Sequence, residues 1–124
     1  MVEGRCNCAS IKVTLPELPK ESVICYCANC RRGGGTFGSI VFPMTKDDAK
    51  ISDAKGTLKS YTDNDTTTGN TIIRQFCSDC GSPVASLTTD GKGTMYLKGG
   101  LFDQIPKATY KSFEQNEPSW VKIG

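Results

Sequence analysis

The sequence predicts a small all-β domain organised around metal, and three observations carry that prediction. Apolar residues alternate with polar ones in short runs; in I-K-V-T-L, Ile11, Val13 and Leu15 would share one face of a strand. No stretch keeps a helical period over a normal helix length. The seven cysteines form three clusters, C-N-C (Cys6, Cys8), C-Y-C-A-N-C (Cys25, Cys27, Cys30) and C-S-D-C-G (Cys77, Cys80), placed at turns between the runs.

Taken in order, P-E-L-P-K-E turns the chain after the first strand, and S-V-I-C runs as a strand into the central cluster. F-G-S-I-V-F (Phe37–Phe42) is β-prone, and Pro43 is expected to end it. L-K-S-Y-T, T-I-I-R-Q-F, P-V-A-S-L-T and T-M-Y-L-K-G continue the pattern, with D-N-D, C-S-D-C-G and T-D-G-K-G as turns. A-T-Y-K-S-F adds a strand near the end. Only K-D-D-A-K and the segment just after Cys30 can form a helical turn. Phe37, Phe76 and Leu101 read as core, Tyr26 as a packing residue, and Trp120 as a core cap or pocket wall. Thr66–Asn70 reads as a loop, and Asp103 as a turn residue.

A chain of 124 residues fits a single domain, spanning 1–124. Fifteen Lys and Arg stand against thirteen Asp and Glu, and no basic block stands out, so neither a nucleic-acid nor a membrane partner is expected. Apolar runs are too short to span a bilayer, and M-V-E-G-R-C has no signal-peptide character, which points to a cytoplasmic address. An odd cysteine count without a secretion signal argues against a disulfide scaffold. Clustered thiols in a reducing compartment usually hold metal.

Zinc takes four ligands in structural sites and commonly three plus an exchangeable one in catalytic sites. Seven cysteines and no histidine therefore divide into four plus three. Cys6, Cys8, Cys77 and Cys80 would form a closed site joining the N-terminal strand to the middle of the chain. Cys25, Cys27 and Cys30 would hold a second zinc with a position to spare. Spacing alone leaves another partition open: Cys27 and Cys30 with Cys77 and Cys80 in one zinc-ribbon site, and the other three cysteines free. Gly81, directly after Cys80, suits a backbone folding tightly around an ion.

G-R-C-N-C, C-Y-C-A-N-C-R-R-G-G-G-T-F, G-T-L-K-S-Y, R-Q-F-C-S-D-C-G-S-P, K-G-G-L-F-D and the late Trp120 together resemble the glutathione-dependent formaldehyde-activating enzymes, whose domain also occurs in centromere protein V. The resemblance covers nearly the whole chain. It implies a compact zinc-bound fold of twisted, mostly antiparallel sheets, of the type shared with methionine sulfoxide reductases. It also implies structural zinc on Cys6, Cys8, Cys77 and Cys80, and active-site zinc on Cys25, Cys27 and Cys30, the latter able to leave its site. The chain departs from the family at Tyr26, where a histidine is usual, and at Gly33 and Gly34, where bulkier residues are common. It is also shorter than the enzymes that name the family, so a different thiol or electrophile is in view.

The activity so implied is carbon–sulfur lyase chemistry on a thiol adduct of an aldehyde, with glutathione as co-substrate. A thiol entering the open zinc position would bind as thiolate, the nucleophilic form. Cys25, Cys27, Cys30 and Arg31 are the candidate catalytic residues. Arg31 and Arg32 would pair with a carboxylate or oxyanion. Gly35, Thr36, Phe37 and Tyr26 complete the candidate substrate contacts, although for Tyr26 and Phe37 packing is the plainer role. With no histidine, water or Tyr26 would have to move protons. Alternatives are a zinc-dependent lyase, hydrolase or isomerase step on a small biosynthetic intermediate, and a non-catalytic zinc-stabilised binding module. The module would show no pocket at the central cluster. A redox enzyme would need a free resolving cysteine, and the four-plus-three partition leaves none. The expected partner is a small molecule, and a homodimer is compatible with the sequence.

Overall fold

The alternation of I-K-V-T-L becomes strand β2 (Lys12–Leu15), with Val13 and Leu15 buried and Lys12 exposed, in a computed structural model that describes residues 1–123. β2 is the middle of a three-stranded antiparallel sheet, between β1 (Val2–Arg5) and β5 (Lys50–Ser52). Neither flanking strand is visible in the sequence: V-E-G-R holds one large apolar side chain and K-I-S is three residues long. They form because the buried β2 needs partners on both sides for its backbone N–H and C=O groups.

The larger sheet has seven strands in the order β10 (Ala108–Ser112), β3 (Ser22–Cys25), β4 (Ser39–Thr45), β9 (Thr94–Lys98), β8 (Pro83–Thr88), β7 (Ile72–Cys77) and β6 (Leu58–Asp63). Only β10 against β3 is parallel. The architecture is thus all-β and mostly antiparallel, as the sequence predicts.

Pro43 does not end β4, which continues to Thr45. β3 pairs with β4 only from Ser39 to Val41, whereas β9 follows it to Thr45. Pro43 therefore sits where β4 has a neighbour on one side only, a position that tolerates proline. The strand also starts later than expected, at Ser39. Gly38 precedes it because a Cβ there would fall 2.6 Å from the carbonyl oxygen of Cys25.

The one α-helix among the described residues, α1 (Ala28–Gly34), begins ahead of Cys30 rather than after it. Cys27 caps it, accepting the Cys30 N–H on Sγ at 3.3 Å, and Gly35 ends it with φ 71°. K-D-D is a single 3-10 turn, Lys46–Asp48, with its carboxylate Asp48 accepting the Thr45 N–H at 3.0 Å.

Period-two register divides the large sheet into two faces. Phe42, Leu97 and Ala85 lie side by side across β4, β9 and β8 and pack with Ile11, Val13 and Leu15 in the core. The opposite face carries Val23, Val41 and Lys98 in one row and Tyr96, Ser86 and Arg74 in another. Leu101 belongs to the core, but Phe37 and Phe76 are half-buried and lie outside it. Phe37 instead stacks between Tyr26, at 6.1 Å between ring centroids, and the exposed Trp120, at 6.0 Å edge-on.

Candidate metal centres and the cleft beside one of them

The turn after β1 carries Cys6 and Cys8, and the turn between β7 and β8 carries Cys77 and Cys80. All four sulfurs lie within 4.8 Å of one another. Tetrahedral zinc with Zn–S bonds of about 2.3 Å would set sulfurs roughly 3.8 Å apart. Cys6 to Cys8 and Cys8 to Cys77 both measure 3.7 Å. Backbone geometry suits the same purpose: Gly81 takes φ 77° and its N–H reaches the Cys77 carbonyl at 2.8 Å. Ala9, between the first pair and Ser10, also has positive φ, at 65°.

Hydroxyl groups surround these sulfurs. Ser82 Oγ stands 3.2 Å from Cys80 Sγ and pulls that thiol down to about 5. Ser10 Oγ stands 3.3 Å from Cys77 Sγ and brings it down to about 7. The Ile11 N–H points at Cys6 Sγ at 3.3 Å. Donors of this kind favour thiolate, the form that binds metal.

The second group is Cys25 at the end of β3, Cys27 at the helix cap and Cys30 in α1, again with sulfurs within 4.8 Å of each other. Among the described residues no fourth sulfur or carboxylate joins it. The structure thus separates the cysteines four and three, and the mixed zinc-ribbon partition is not formed. All seven are free thiols. Within the trio, hydrogen bonding from Cys30 lowers Cys25 to about 5, and the same contact, with burial, pushes Cys30 upward. One thiolate already shared against a neighbouring thiol is a donor set that could hold a cation.

This trio opens on a cleft of about 570 Å³. Its floor is the non-core face of the large sheet, because register aligns Cys25 with Val23, Val41 and Lys98. The loop Thr66–Thr71 forms a wall, and Asn29 on α1 holds it there: its Oδ1 accepts the Thr67 N–H at 3.0 Å and its Nδ2 donates to the Asp65 carbonyl at 2.9 Å. Arg74 Nε meets Asp63 Oδ2 at 2.7 Å, which holds the Asp63 carboxyl below its usual value. Phe113, at the end of β10, lines the cleft with φ 55°, an unusual conformation for a bulky residue.

Several residues singled out in the sequence lie elsewhere. Arg31 and Arg32 are exposed on α1 and do not line this cleft. Thr36 and Gly34 line a second hollow, of about 470 Å³, beyond the end of the sheet; Gly35 and Phe37 line neither. Tyr26 is 1% exposed, and its hydroxyl donates to Glu117 Oε2 at 2.6 Å. Burial, with Glu117 beside it, pushes the Tyr26 hydroxyl up to about 12. The cations of the cleft are Arg74 and Lys98, and with Asn29 they are the residues the sequence reading did not single out. A signal for Lys98 was present in T-M-Y-L-K: with Met95 and Leu97 in the core, Tyr96 and Lys98 must face the other way.

Among the described residues no helix is long and apolar enough to cross a membrane. Over residues 1–122 the chain matches the family model described as glutathione-dependent formaldehyde-activating enzyme. No curated protein matches it in sequence. Its fold is similar to that in a crystal structure of a Rhodobacter sphaeroides protein, at TM-score 0.62 and 18% identity, over 83% of this chain and 89% of that one.

Proposed function

The chain belongs to the glutathione-dependent formaldehyde-activating enzyme family, and from that premise we propose that it is a zinc enzyme of carbon–sulfur lyase type. Its substrate would be the adduct of a glutathione-like thiol with a small aldehyde. The single observation that carries this reading is a three-sulfur cluster, without a fourth donor among the described residues, facing a cleft large enough for a small molecule. A zinc ion held there would offer a fourth position in which an incoming thiol is kept as thiolate.

The chain's own residues would do the rest. Cys25, Cys27 and Cys30 would hold the ion, while Cys6, Cys8, Cys77 and Cys80 would hold a structural one. Asn29 keeps the Thr66–Thr71 wall against α1. The Arg74–Asp63 pair fixes the far end of the floor. Tyr26 is not placed to move protons, because its hydroxyl is spent on Glu117. With no histidine in the chain, water would carry them. Arg31 and Arg32, outside the cleft lining, would act at most through charge near the cluster. The thiols must stay reduced for this chemistry, which fits a cytoplasmic address and a small-molecule partner.

A non-catalytic module would need no pocket at the central cluster, and the cleft there favours the enzyme. The test is adduct exchange between formaldehyde and glutathione, followed by NMR with zinc-loaded protein. Faster exchange with the wild type than with Cys27→Ser supports the reading; no acceleration over buffer contradicts it for this thiol and aldehyde.

A further inference from the structure

We propose that Lys98 is a catalytic residue of this cleft, its ammonium group pairing with a negative oxygen of the substrate beside the three cysteines. The inference rests on the reading of the cleft as the site of thiol–aldehyde chemistry. Register sets its position: Lys98 pairs with Val41, Val41 with Val23, and Val23 precedes Cys25 by two residues on the same face. Lys98, 9% exposed as a residue, thus stands on the strand floor that also carries Cys25 of the trio.

Its lack of a partner is the second argument. Among the described residues no carboxylate lies within 4.0 Å of the Lys98 ammonium, and its side chain makes no hydrogen bond. Arg74, the other cation of the cleft, is committed to Asp63 at 2.7 Å. The rim carboxylate Asp90 is engaged by the Thr88 hydroxyl and the Lys92 N–H, both at 3.0 Å. Burial lowers the Lys98 ammonium pKa and the cysteine sulfurs act against that shift, as expected for a cation in a poorly solvated cleft near anions. A buried, uncompensated charge is costly, and an anionic ligand relieves that cost.

Two oxygens fit. One is a carboxylate already on the thiol. The other is the alkoxide formed when a thiolate attacks an aldehyde: the S–C bond forms, the C=O π pair moves onto oxygen, and that oxygen takes, relayed by water, the proton the thiol had released. In reverse the hydroxyl gives its proton to the water relay, the S–C bond breaks as the C=O π bond re-forms, and the departing thiolate regains the proton. Lys98 would hold the anionic oxygen in both directions, which is the task for which no histidine exists here.

The test uses zinc-loaded wild type, Lys98→Met and Lys98→Arg, with Lys98→Gln in place of Met if that variant fails to fold. Zinc content is measured first, then calorimetric binding of 3-mercaptopropionate and of neutral 2-mercaptoethanol, then turnover of formaldehyde with glutathione. If the oxygen is a carboxylate, Lys98→Met weakens 3-mercaptopropionate about tenfold and leaves 2-mercaptoethanol unchanged. If it is the alkoxide, both thiols bind as before, kcat falls about tenfold or more, and Lys98→Arg recovers part of the loss. Unchanged binding and turnover would overturn the proposal, as would loss of zinc from Lys98→Met, which would make the residue a counter-charge for the metal. Binding of thiols by a wild type that turns over no formaldehyde would sink the reaction proposed above while leaving the binding arm to decide on Lys98. A wild type that binds neither thiol would end both.

Discussion

The four-cysteine and three-cysteine clusters use the same C-x-C and C-x-x-C spacings, yet their surroundings differ. The first draws on two turns about seventy residues apart and places Cys6 and Cys77 at 1% and 0% exposure. Serine hydroxyls stand beside its sulfurs, and the Asn7 N–H reaches Ser82 Oγ at 2.9 Å across the junction. The second draws on six consecutive sequence positions, Cys25 to Cys30, and its sulfurs line a cleft. Cluster one offers four sulfurs, the number a closed zinc site would need; cluster two offers three. What separates the two here is the number of sulfurs and the cleft beside the second, not the ligand type.

The largest expected effect comes from breaking the staple. Cys77→Ser should abolish folding, since a structural zinc contributes on the order of 10 kcal/mol and a domain this size has about 5–15 in total. Near-UV circular dichroism and thermal melting would show it. A Cys77→Ser protein with a cooperative melt close to the wild type would mean the cluster is not structural.

Next is the ion pair under the cleft. Asp63→Asn leaves Arg74 without its carboxylate and should cost about 2–3 kcal/mol in urea unfolding at pH 7. The Asp63 carboxyl is lowered in the folded state, chiefly by Arg74, so its contribution is complete above the unfolded value near ~3.9 and is lost as pH falls through the folded value. The stability gap between the two proteins should therefore close with acidification; a gap constant down to pH ~2 would contradict this assignment.

A smaller effect is expected where the three-cysteine loop is tied to the C-terminal segment. Tyr26, lying between Cys25 and Cys27, is anchored by Glu117, which also pairs with Lys111 at 3.0 Å. Tyr26→Phe should cost about 1–2 kcal/mol and lower zinc retention in the second cluster alone, read by competition with a chromogenic chelator. Equal loss from both clusters would place the effect in global stability. The smallest effect belongs to Arg31→Ala: stability should change by less than about 0.5 kcal/mol and thiol binding hardly at all, because the side chain is exposed and outside the cleft. A large loss of thiol binding in that variant would return Arg31 to the site.

Much of this arrangement was legible in the sequence because it is local. The C-x-C and C-x-x-C spacings and Gly81 express tight turns that could each present two sulfurs to an ion, and each turn is set by its own few residues. The alternation of Val13 and Leu15 likewise reports one buried face. Pro43 misled because whether a strand has one neighbour or two is a property of the sheet. Asn29, Arg74 and Lys98 stayed hidden for a related reason: they come from α1, β7 and β9, and only the strand register brings them to one cleft. Arg31 and Arg32 follow Cys30 in sequence, but a helix turns consecutive residues to different sides, and both lie exposed outside the cleft lining.

The most direct test of the two-cluster account is zinc per chain, by elemental analysis of reduced, chelator-free protein, for wild type and Cys27→Ser together with a check of folding. The account predicts two zinc ions in the wild type and one in a variant that still melts cooperatively. An unfolded Cys27→Ser protein, or one with the wild type's full zinc content, would contradict it.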